Sequence, residues 1–173
     1  MPTLQPGDIF LLNSGGWLNK TIDFFQALYS GDHKSDYIHS GVILDAEGKT
    51  FETTPWRTGN QNLFTTYPGS ILLIARWKGI TPTGLVSGYG TVRDQMGKIY
   101  PYHRLLLFAV HLARWIHWNG KVCSELVSAF LNGAGFTRQV WGVNVDDLHD
   151  EIVNNPAAWT IVFEEDMHTW TAG

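Results

Sequence analysis

The chain has 173 residues, 44% hydrophobic and 16% charged, which is enough for one globular domain over 1–173 with its own core. Twelve basic against sixteen acidic residues leave a net charge of −4 with the signs interleaved, so no basic surface for nucleic acid or an anionic membrane is expected. A single cysteine excludes an intramolecular disulfide and a thiolate zinc site, and no apolar run reaches membrane-spanning length.

In chain order, Gly7-Asp8 reads as a turn into a buried strand at Ile9 to Leu12, followed by an amphipathic helix from Trp17 to Tyr29 and a polar loop from Gly31 to Asp36. A hairpin is predicted next: Tyr37 to Leu44, the loop Asp45-Ala46-Glu47-Gly48, and Lys49 to Thr54. Pro55 to Gly69, rich in turn formers, is expected to be a long surface loop before a strand at Ile71 to Trp77. Helical spacing then covers Thr83 to Gly97, Tyr102 to Trp118 and Val122 to Asn132, the last stopped by Gly133 and Gly135. Asp146 is expected to cap a short helix through Val153, and Trp159 to Phe163 reads as a closing strand. Strands first, helices later and one strand returning predict an α+β fold, an antiparallel sheet or partial barrel packed against helices.

Cys123 falls in the first turn of a predicted helix, where unpaired backbone N–H groups and the helix dipole favour a thiolate, with Lys121 as a nearby cation. The same N–H groups could receive an oxyanion. A free cysteine can equally be a small buried hydrophobe. His39 leads an apolar strand, a rigid mount for a base. If Asp45 to Gly48 is the hairpin loop, Glu52 pairs with Gly41, and His39, Gly41 and Glu52 share one face. The diagonal between His39 and Glu52 is then about 7–8 Å at the backbone, and Gly41 leaves room for the Glu52 side chain to reach the imidazole. Cys123, His39 and Glu52 thus fit the roles of nucleophile, base and orienting acid. Glu125, two residues beyond Cys123, points to another helix face and is read as structural. His103, His111 and His117 lack the i, i+4 spacing of paired ligands, so no metal is expected.

The ordered set Gly7-Asp8-Ile9-Phe10, His39-Ser40-Gly41-Val42-Ile43, Phe51-Glu52-Thr53, Cys123-Ser124-Glu125-Leu126-Val127 and Asp147-Leu148 resembles the permuted members of the NlpC/P60 papain-like superfamily, in particular the YiiX/YebB-like cysteine hydrolases. The resemblance spans most of the chain. It implies a permuted papain-like fold, a Cys123-His39-Glu52 triad working through an acyl-enzyme, no cofactor, and an amide substrate such as a cell-wall peptide or another peptide-like linkage. The alternative within the resemblance is a lipid acyl hydrolase or acyltransferase of the lecithin retinol acyltransferase-like branch. That branch commonly carries a second His where this chain has Glu52. A non-catalytic binding module on the same fold is a further alternative. Without the basic start and apolar core of a secretory signal, the chain is expected to be cytoplasmic at synthesis, with phage-borne or non-classically exported use compatible with the same sequence.

Overall fold

The computed structural model describes residues 3–13, 37–54, 56–99, 121–138 and 143–166. The helices expected at Trp17 to Tyr29 and Tyr102 to Trp118, the loop from Gly31 to Asp36, and His103, His111 and His117 lie outside the described residues. The described residues form an α+β arrangement. Its strands are β1 (Ile9–Asn13), β2 (His39–Ile43), β3 (Lys49–Thr53), β4 (Thr58–Asn62), β5 (Ile71–Trp77) and β6 (Trp159–Asp166). Its helices are α1 (Leu63–Thr66), α2 (Pro82–Arg93), α3 (Cys123–Ala134) and α4 (Val145–Asn154).

The strands make one antiparallel sheet in the order β4-β3-β2-β1-β5-β6. Side chains alternate across it, and both faces are covered by apolar groups. Ile9, Leu11, Val42, Phe51, Leu73 and Ala75 belong to a core completed by α3 and α4. Phe10, Leu12, Ile43, Leu72 and Ile74 belong to a second core with Leu4 and Leu63. Helix α3 lies against β2 and β3 and against α2. Leu126, Val127, Phe130 and Leu131 have no exposed surface, and burying each such side chain is worth about 1.5–3 kcal/mol. This burial fixes the start of α3 against the start of β2.

Four local expectations are corrected. Pro55 to Gly69 is not one loop: it contains edge strand β4 and the four-residue α1, capped by Asn62, whose side chain accepts from the N–H groups of Phe64 and Thr65. Helix α4 is capped by Asn144, not Asp146; Asn144 Oδ1 accepts from the Asp147 N–H at 2.7 Å, and Asp147 Oδ2 returns the bond to the Asn144 N–H at 2.9 Å. Gly133 lies inside α3, and Gly135 alone takes the left-handed C-cap. Helix α2 begins one residue earlier than expected, behind Thr81 as cap with Pro82 in its first turn, and stops at Arg93.

The Gly7-Asp8 turn has a clear structural purpose. Asp8 is buried, and its two carboxylate oxygens accept from Arg76 Nε at 2.7 Å and a terminal nitrogen at 2.8 Å, while Gln5 N–H donates at 2.8 Å. The bidentate pair ties the start of β1 to β5.

Candidate active site

The hairpin register is Gly41↔Glu52, Val42↔Phe51 and Ile43↔Thr50. His39 and Glu52 are therefore diagonal neighbours across Gly41. The Glu52 side chain closes the gap: His39 Nε2 donates to Oε2 at 2.5 Å. Space for this exists because residue 41 has no Cβ. One built there would lie 2.6 and 2.7 Å from Cε1 and Cζ of Phe10 and 2.9 Å from Cβ of Glu52. Phe10 in turn packs against the imidazole, ring centroids 5.9 Å apart.

Glu52 is wholly buried, so its carboxylate needs protein donors. Thr50 Oγ1 donates to Oε1 at 2.5 Å, and the Tyr67 hydroxyl donates to Oε2 at 2.5 Å, the oxygen shared with His39. Tyr67 sits at the C-cap of α1. Neither Thr50 nor Tyr67 was found from the sequence. Thr50 follows from the hairpin pattern, two residues before Glu52 on the same face. Tyr67 was hidden because its segment was read as loop.

Cys123 is the first residue of α3 and is buried. The helix start is closed by Glu125, whose Oε2 accepts from the Val122 N–H at 3.3 Å. Ser124 Oγ donates to the Val143 carbonyl at 2.6 Å and anchors the same turn. Glu125 is thus part of the cap rather than of the triad. The His39 side chain and the backbone N–H groups of Ser40 and Ser124 lie close enough to the thiol to act on it by hydrogen bonding. With Nε2 given to Glu52, Nδ1 is the ring nitrogen left for the thiol. The structure therefore connects all three sequence-selected residues in the line Cys123, His39, Glu52.

The electrostatics of this line favour charge separation. Burial is the largest single influence on His39 and opposes protonation, but hydrogen bonds and charges from Cys123 and Glu52 outweigh it and push the imidazole up to about 10. Burial likewise opposes ionisation of Cys123, yet His39 and the Ser40 and Ser124 N–H groups bring the thiol below its ordinary value. Lys121, expected to help, is not among these principal causes. Glu52 is held below the usual carboxylate range: burial opposes this, and His39, Thr50 and Tyr67 overcome it. Burial and the adjacent Glu52 carboxylate raise Tyr67 well above the usual phenol range, so it stays a donor. Both shifts favour the thiolate–imidazolium form of the pair, a nucleophile beside a proton donor.

Two side chains near His39 in sequence do not join this line through their hydroxyls. Tyr37 donates to Glu164 Oε1 at 3.3 Å, and Ser40 Oγ is buried without a hydrogen-bond partner. Among the described residues no group of three or more His, Cys, Asp or Glu side chains is placed to hold a metal ion, and no helix is long and apolar enough to cross a membrane. No protein-family model matches the chain, and no curated protein sequence matches it, so the functional reading stands on the chemistry of Cys123, His39 and Glu52.

Proposed function

We propose that this protein is a cysteine hydrolase that cleaves amide bonds in peptide-like substrates, on a permuted papain-like fold similar to the NlpC/P60 superfamily and its YiiX/YebB-like members. The observation that carries the reading is a buried Cys123 at the start of α3 beside the His39 imidazole, which the buried Glu52 holds at 2.5 Å. The chain order of His39, Glu52 and then Cys123, with the Cys-bearing helix against the His-bearing strand, supports the permuted arrangement.

In the proposed reaction the Cys123 thiolate attacks the substrate carbonyl carbon and forms a C–S bond. The carbonyl electron pair moves to oxygen, which backbone N–H groups at the start of α3 would receive. As the tetrahedral intermediate collapses, the C–N bond breaks and the imidazolium gives its proton to the leaving amine. Water then attacks the thioester, the neutral imidazole takes its proton, and release of the acid restores thiolate and imidazolium. Glu52 keeps the ring oriented and offsets its charge throughout. The cycle requires no cofactor.

The test is to incubate the protein with peptidoglycan stem peptides and, separately, with fatty-acyl esters, and to seek the acyl group on Cys123 by mass spectrometry. An acyl-Cys123 adduct with amine release from the peptides, absent in Cys123→Ala, is the expected result. Adducts from the esters alone would replace the amide reading with lipid acyl chemistry. No adduct from either set, with the native fold intact, would favour a non-catalytic binding module.

A further inference from the structure

We infer that Tyr67 is a positioning residue of this site, a fourth member that acts on His39 through the Glu52 carboxylate; the inference rests on the Cys-His reading above. Three observations carry it. The Tyr67 hydroxyl donates to Oε2, the oxygen that also holds His39 Nε2, whereas Thr50 occupies Oε1. The hydroxyl oxygen also lies 3.4 Å from Nε2, and the two rings pack with centroids 5.7 Å apart and planes 46° apart. Finally, Glu52 has no exposed surface, so water cannot replace a missing donor without opening the core.

The two donors differ in consequence. Thr50 neutralises the far side of the carboxylate. Tyr67 shares one oxygen with the imidazolium, and so helps hold that oxygen in place against Nε2. The titratable groups that bear on this point come from four elements: Glu52 of β3, His39 of β2, Cys123 of α3, and Tyr67 itself at the end of α1. Tyr67 keeps its proton, so it contributes a fixed dipole and no proton-transfer step. Its position is secured locally: the Tyr67 N–H donates to the Leu63 carbonyl at 3.2 Å, and the Leu63 side chain is fully buried.

The experiment is the rate of Cys123 alkylation by iodoacetamide against pH, in native protein, Tyr67→Phe and Thr50→Val, each checked for native circular dichroism. Without the phenol, Oε2 is no longer held against Nε2, the imidazolium loses its aligned partner, and thiol and imidazole shift toward their neutral forms. The lower limb of the Tyr67→Phe profile should move up by about 0.5–1 pH unit, with a smaller displacement for Thr50→Val. A Tyr67→Phe profile superimposed on the native one, or a Thr50→Val displacement as large, overturns the inference while leaving the Cys-His reading in place. A native profile like that of an ordinary thiol overturns both. If Tyr67→Phe does not fold, 3-fluorotyrosine placed at position 67 alone serves instead: the stronger donor should move the limb down, and an unmoved limb refutes the assignment.

Discussion

Gly41→Ala perturbs the site without touching any of its polar groups. Gly41 does not have a left-handed φ, so its backbone accepts alanine, and reducing the freedom of the unfolded chain would by itself stabilise by about 0.4–1 kcal/mol. Against this, the new methyl meets Phe10 at 2.6 and 2.7 Å and Glu52 Cβ at 2.9 Å, far inside the ~3.5 Å at which carbons rest in contact. Neither neighbour can yield easily, since both are fully buried. Overpacking of this kind costs about 1–3 kcal/mol, and two obstructed sides place it at the upper end. The net loss is then about 2 kcal/mol, or about 4–8 °C in Tm for a chain of this size. Because Phe10 supports the imidazole and Glu52 holds it, Cys123 alkylation at pH 6 should slow together with the fall in Tm. Thermal denaturation followed by circular dichroism, paired with the alkylation rate, measures both. An unchanged or raised Tm with native alkylation would refute the close-approach account of Gly41.

Proton linkage should give stability a plateau. Where the folded pair is thiolate and imidazolium, the unfolded chain below about pH 6.5 holds one proton more, on its thiol, so stability rises with pH; between about 6.5 and 8.5 folded and unfolded chains each hold one and stability is flat. Above that the folded imidazole alone retains its proton, so stability falls until it titrates at about 10. In Cys123→Ala the fall should begin near pH 6.5, the unperturbed imidazole value, and denaturant titrations across pH 5–10 would show an unshifted onset if the pair is not coupled. Arg76→Met strips the bidentate partner from buried Asp8 and should cost about 3 kcal/mol in urea unfolding, with Cys123 alkylation unchanged at 25 °C; slowed alkylation in the folded variant would show that the turn also shapes the site.

The geometry that matters most was legible because a hairpin is a local problem. A short loop with Gly48 fixes the register, the register fixes which side chains share a face, and His39, Gly41 and Glu52 follow. Helix α3 was equally legible from its apolar spacing. Strand β4 was not, because Thr58-Gly59-Asn60-Gln61-Asn62 has no apolar alternation; it is extended by virtue of pairing with β3 at an edge of the sheet, and tertiary context decides. Tyr67 was lost with it. The cap on α4 was misplaced by two residues because Asn144 and Asp146 are both good caps, and only the reciprocal bond with Asp147 separates them. Arg76 illustrates the remaining limit: its partner Asp8 is 68 positions away, and no local pattern joins them.

The most direct test of the Cys-His-Glu site compares the pH profile of Cys123 alkylation in native protein and His39→Ala. The expected result is fast native alkylation well below the ordinary thiol range of about 8.5, lost in His39→Ala. A native thiol that reacts only above that range, or a profile indifferent to His39, would contradict the site and return Cys123 to the core as packing.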